Sequence, residues 1–139
     1  MAKLKAKKAS KTADTGVFTW LRAIAAKRTA GLVNTEDTRQ TYTLSAAVGP
    51  AVVERKGPKA RGTTTPVVYL HEGKAYVSYH LLGLYKNASL VKEVSAELSK
   101  HMQGQACFNF RKVQAELSSE LGRLTQKSVA ALRKTRYIE

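Results

Sequence analysis

The stretch 66–85, PVVYLHEGKAYVSYHLLGLY, decides the fold, because it is the longest run in the chain that reads as two paired strands. Segments 67–70 and 75–82 are rich in β-branched and aromatic residues, and His71, Glu72, Gly73 and Lys74 between them supply a glycine-containing turn. Together they predict a β-hairpin. In its second strand a period of two sends Tyr76, Ser78, His80 and Leu82 to one face and Val77, Tyr79 and Leu81 to the other. Neither set is plainly polar, so this strand is expected at the centre of a sheet, with helices over one face and a partly filled groove over the other.

Working upstream, 39–48 alternates Tyr42, Leu44, Ala46 and Val48 against Arg39, Thr41, Thr43 and Ser45, which predicts a half-buried strand. Segment 49–65 reads as a long basic loop carrying Arg55, Lys56, Lys59 and Arg61, with a short edge strand at 51–54. Before these, Thr15 offers an N-cap to a helix whose apolar face is Val17, Phe18, Leu21, Ile24 and Ala25, with Lys27 and Arg28 in its last turn and Gly31 as its stop. Trp20 lies off the centre of that face, where it either covers a groove edge or packs as core.

Downstream, 83–86 turns the chain. Asn87 is placed to cap a short helix carrying Leu90, Val91 and Val94, and Ser95 to restart it for Leu98 and Met102 until Gly104. Segment 107–111, CFNFR, reads as a last short strand, and 113–134 as a long helix with Leu117, Leu121, Leu124, Ser128 and Leu132 at helical spacing. Gly122 inside it marks close packing. The expected architecture is α+β: an antiparallel sheet of about four to five strands packed by an N-terminal helix and a long C-terminal helix.

A chain of 139 residues fits one domain able to bury a core without disulfides. Residues 1–13, MAKLKAKKASKTA, have almost nothing to bury and read as a disordered basic arm, leaving 14–139 as the domain. No apolar run approaches a membrane span, and the single Cys107 fits a reducing compartment, so a cytoplasmic location is expected. The net charge is +14, with Lys3, Lys5, Lys7, Lys8 and Lys11 all ahead of the first acid, and the body beyond them remains basic. Such a field favours polyanions, although solubility alone accounts for it as well.

Motif chemistry is sparse. P-loop, G-x-G-x-x-G, C-x-x-C, H-E-x-x-H and G-x-S-x-G patterns are absent, so neither a cofactor nor a metal ligand set is implied. His80, between Tyr79 and Leu81, is the histidine expected to be buried, either as a hydrogen-bonded core residue or as a site residue. Cys107 becomes a nucleophile only if its strand neighbours that of His80 with both side chains on one face; otherwise it is an inert thiol. The carboxylate pairs Glu36/Asp37, Glu93/Glu97 and Glu116/Glu120 are explained by solvated ion pairs.

The segments YVSYHLLGLYKNASLVKEVSAELSKHMQGQACFNFRKV and AELSSELGRLTQKSVAALRKTRYIE, within 76–139, resemble the second half of the YdhG-like family of small bacterial domains. The pairing of SYHLLGLY with GQACFNF carries the resemblance. It implies a compact α+β domain with helices packed on an antiparallel sheet. Some relatives are described as frataxin-like iron chaperones, whose iron-delivering surface is an acidic ridge. This chain has 10 acids against 24 lysines and arginines, the wrong sign for attracting a ferrous ion.

Two functions lead as expectations, with an iron chaperone and a Cys107/His80 thiol enzyme as weaker alternatives. The leading one is a non-enzymatic binding domain whose groove over the sheet is lined by Trp20, Tyr76, His80, Tyr85, Cys107 and Asn109, with Arg111 and Lys112 at its mouth, for a small anionic or aromatic ligand. The alternative is nucleic-acid or polyanion binding through Lys3, Lys5, Lys7 and Lys8 of the arm, Arg55, Lys56, Lys59 and Arg61 of the loop, and the final helix.

Overall fold

The paired strands of the 66–85 segment form, and four further strands flank them. The computed structural model describes residues 16–27 and 31–139. The elements run α1 (Val17–Ala26), β1 (Val33–Asp37), β2 (Thr41–Ala47), α2 (Pro50–Lys56), β3 (Thr64–Glu72), β4 (Val77–Leu81), α3 (Leu82–Lys86), α4 (Ala88–Val91), α5 (Ala96–Ser99), β5 (Met102–Gln103), β6 (Cys107–Phe110) and α6 (Ser118–Lys134). Short 3-10 turns precede β3 and α6. The strands make one sheet in the order β1-β2-β3-β4-β6-β5, with every neighbouring pair antiparallel. β4 and β3 are therefore central. The expected arm at 1–13, the Thr15 cap and Arg28 lie outside the described residues.

The segment expected as a turn at 83–86 is helical from Leu82, Met102 falls in strand β5 rather than in a helix ending at Gly104, and the final helix starts at Ser118 rather than at 113. Three other departures from the sequence reading have local causes. His71 and Glu72 belong to β3 rather than to the turn, because the ladder with β2 carries on past Leu70 and the Glu72 N–H reaches the Gln40 carbonyl. The turn is 73–76, closed by the Gly73 N–H on the Tyr76 carbonyl at 2.9 Å. The edge strand expected at 51–54 is instead helix α2, whose Pro50 sits in the first turn, where its fixed φ and missing N–H suit a helix start. β1, VNTED, has no apolar alternation and is exposed along its length, so periodicity gives it no signal. It is held by backbone pairing and by Thr35 Oγ1 with Ser45 Oγ at 2.8 Å and Thr43 Oγ1 donating to Glu36 Oε1 at 3.2 Å.

The helical layer lies on one face of the sheet. Val17, Phe18, Leu21, Ile24 and Ala25 of α1 are all buried, as are Leu121, Leu124, Val129 and Leu132 of α6. They meet Leu44, Leu70, Val77, Tyr79, Leu81, Phe108 and Phe110 from the strands in one core. The Tyr79 hydroxyl is bonded to Thr125 Oγ1 at 2.7 Å, which fixes α6 against β4. Gly83 brings α3 onto α6: its N–H donates to Ser128 Oγ at 2.9 Å, and a Cβ there would collide with Ser128 backbone. Ser95 caps α5 by accepting the Leu98 N–H, and Glu120 of α6 in turn accepts from both the Ser95 N–H and its hydroxyl. No helix among the described residues is long and apolar enough to cross a membrane.

Candidate binding face

Antiparallel pairing aligns side chains of one parity into rows across the sheet. Val77, Tyr79, Leu81, Phe108 and Phe110 point into the core, so Ser78, His80, Cys107 and Asn109 take the opposite face. One row runs Thr43, Tyr69, His80, Cys107, Gln103 over β2, β3, β4, β6 and β5. A second runs Thr41, His71, Ser78, Asn109. Over β3, β4 and β6 these side chains stay half-buried or exposed, as on a face without a helix layer.

Four of them form a connected network. Ser78 Oγ donates to Asn109 Oδ1 at 2.9 Å, Cys107 Sγ approaches the same oxygen at 3.5 Å, and Asn109 Nδ2 donates to Gln103 Oε1 at 2.5 Å. This ties β4, β6 and β5 together and occupies most of the polar capacity of Asn109. Tyr69 and His71 lie parallel, 6.4 Å between ring centroids and 8° between planes. His80 stands between Tyr69 and Cys107 as the strand partner of both. Neither Tyr69 nor His80 has a side-chain hydrogen-bond partner among the described residues.

Burial pushes the His80 imidazole below its ordinary 6.5, so it is neutral at pH 7. Burial also pushes the Cys107 thiol above its ordinary 9.0, against a smaller opposing pull from a Ser78 hydrogen bond. The geometric condition for a Cys–His nucleophile is met, since the two residues face each other on adjacent strands. The ionisation runs the other way: a protonated thiol beside a neutral imidazole is a poor nucleophile. What the arrangement offers is an uncharged platform of rings and hydrogen-bonding groups.

The expected groove residues divide. His80, Cys107 and Asn109 come together on this face. Tyr76 and Arg111 continue its β4 and β6 rows at one end, with the Arg111 guanidinium 6.0 Å from the Tyr76 ring centre and Lys112 exposed beside it. Trp20 does not join them. It lies behind the sheet, its ring edge against Phe110 at 5.1 Å and its Nε1 donating to Ser118 Oγ at 2.7 Å. Tyr85 is also off the face: it is 62% exposed on α3, which packs against α6 in the helical layer. Tyr69, His71, Ser78 and Gln103 were missed as site residues. The signal for the first two lay in the alternation of 67–72, which a turn placed at 71–74 cut short.

Of the polyanion set, Lys3, Lys5, Lys7 and Lys8 lie outside the described residues, and Lys56, Lys59 and Arg61 are exposed. Arg55 lies 6.0 Å from the Tyr137 ring centre, and Lys86 lies 4.7 Å from the same ring. Among the described residues no three of His, Cys, Asp and Glu gather as a metal-binding group. No protein-family model matches this chain, nor does any curated protein or solved structure.

Proposed function

We propose that this chain is a non-enzymatic binding domain that takes a planar aromatic ligand on the face of β3, β4 and β6 opposite the helical layer. The observation that carries the reading is His80: a neutral, half-buried imidazole with no side-chain hydrogen-bond partner among the described residues, set beside Tyr69, which likewise has none among them, on the two central strands. A flat ring fits against Tyr69 and His80, with polar edges meeting the imidazole nitrogens and the phenol. Among the described residues no cation stands in the middle of the face, so an anionic substituent belongs at its end, by Arg111. The proposed kinship with YdhG-like domains over 76–139 is compatible with this but supplies no ligand.

Amide chemical-shift mapping with indole, purine and benzoate tests the reading. Changes are expected to concentrate at 69, 71, 78, 80, 107 and 109, and to vanish in Tyr69→Ala and His80→Ala. Responses confined to Trp20 or to the surroundings of Tyr137 would dispose of it. A second reading, polyanion binding near the 55–61 loop, is supported by the two cations sharing the Tyr137 ring. It expects inorganic polyphosphate to shift resonances at Arg55, Lys86 and Tyr137 while leaving His80 unmoved.

A further inference from the structure

We infer that the partner of this face is single-stranded RNA, with bases stacked on the Tyr69, His71 and His80 rings and phosphates held along one end of the sheet; this rests on the binding-face reading above. The inference starts from the placement of charge. Arg39 lies in the β1–β2 turn, Lys74 in the β3–β4 turn, and Arg111 and Lys112 immediately follow β6. Antiparallel pairing brings all of these to the same end of the sheet, beside the row Thr41, His71, Ser78, Asn109. All four are exposed, and none is in an ion pair among the described residues.

The nearby acids form no ion pair with them among the described residues. Asp37 is engaged by Arg22, Glu72 is buried, and the exposed Glu36 accepts from the Thr43 hydroxyl at the β1 edge of the same face. From β2 to β6 this basic edge crosses three strand spacings, about 14 Å, in the direction of the rows. A backbone laid along it would direct bases over the rings of the two rows, a length suited to two or three nucleotides, as in other antiparallel sheets that stack RNA bases. The Tyr69 hydroxyl, which has no hydrogen-bond partner among the described residues, the His80 ring and the exposed His71 add polar groups around the rings. A ribose 2′-hydroxyl, both donor and acceptor, gives them a partner that deoxyribose lacks.

The test is fluorescence anisotropy of the full chain with a labelled 10-nucleotide RNA, the same sequence as single-stranded DNA, and the RNA duplex, at several salt concentrations. Single-stranded RNA should bind tightest, with a log–log salt slope of roughly −2 to −3 from four phosphate contacts. Arg111→Ala and Lys74→Ala should each flatten that slope by about 0.7. Tyr69→Ala and His80→Ala should each weaken binding roughly 5- to 150-fold, the usual loss of one stacked base. His71→Ala, at an exposed position, serves if either variant fails to fold.

Equal or tighter binding of DNA or of duplex would overturn the inference, as would ring variants that bind RNA like the wild type. If free adenosine shifts the 69, 71 and 80 resonances but RNA binds no more tightly than adenosine, the RNA inference falls and the binding-face reading stands. If neither adenosine nor the aromatic panel perturbs the face, both fall.

Discussion

Because Cys107 is the chain's single cysteine, its reaction with a thiol reagent reports on the binding face without interference. Burial holds the thiol above 9.0, and only the thiolate reacts. A thiol with the ordinary value would be about a tenth ionised at pH 8, so the rate there should fall short of a tenth of its high-pH limit, and the midpoint of the rate profile should lie above 9.0. Ser78 sharpens the test. In the protonated state its hydroxyl donates to Asn109 at 2.9 Å, and it must rotate to serve a thiolate. Its net help to the anion is therefore one hydrogen bond gained against another given up. Taking about 0.5–1.5 kcal/mol for that difference, Ser78→Ala should slow the pH 8 reaction about 2- to 10-fold. The assay is the stopped-flow rate with an aromatic disulfide reagent on folded protein from pH 6 to 10, with circular dichroism confirming that the fold persists. A midpoint near 7, or faster reaction in Ser78→Ala, would refute the argument and return Cys107 and His80 to the status of a nucleophile pair.

Other parts of the structure are open to equally direct measurement. His80 titrates below its ordinary 6.5 in the folded state, so below about pH 6.5 the unfolded chain binds the extra proton and stability declines until the folded imidazole titrates. Urea midpoints across pH 5–8 should show that decline shrinking in His80→Asn, and an unchanged profile would contradict the burial argument. Gly83→Ala should lower stability by roughly 1–3 kcal/mol, because its Cβ would meet the Oγ, carbonyl oxygen and Cα of Ser128, and the last two are backbone that cannot swing aside. A wild-type denaturation midpoint would show that α3 and α6 have room to part. Glu72 is the only buried charged side chain among the described residues, and its Oε2 lacks a hydrogen-bond partner. Glu72→Gln should therefore raise stability by about 1 kcal/mol in the same assay, and a loss would mean that the carboxylate has a compensating interaction. Ser95→Ala should cost about 1 kcal/mol, since it removes both the Leu98 cap and the hydroxyl latch to Glu120.

Elements with a strong apolar period were legible in the sequence. The α1 face was named residue by residue and is the buried set, and the partition of β4 into Val77, Tyr79, Leu81 against Ser78, His80 is the one observed. Elements fixed by pairing or by a single backbone constraint were not. β1 is specified by its hydrogen bonds to β2, and α2 by a proline whose fixed φ starts a helix where valines suggested a strand. The site divided along the same line. His80 and Asn109 follow from the parity of two short strands, but their adjacency depends on β4 pairing with β6, a contact between segments about thirty residues apart that no local pattern encodes. Trp20 and Tyr85 are residue types suited to ligand contact, and only the layer order shows that they lie on the helical side of the sheet.

The same layer order gives the charge a division of labour that the total of +14 conceals. Where the described carboxylates form ion pairs they do so with Arg22, Lys100, Lys127 and Arg136, none of which is on the binding face. The middle of that face is held neutral by burial, and the cations at its end form no ion pair among the described residues, Arg111 lying over the Tyr76 ring. Recognition of a ring and attraction of an anion therefore reside in different residues. Substitutions at Tyr69 or His80 should change affinity without changing its salt dependence, whereas substitutions at Arg111 or Lys74 should change both. A ligand whose affinity responded to all four positions with one salt slope would be using the general field of the protein rather than this face, and the separation of roles argued from the sheet register would then be wrong.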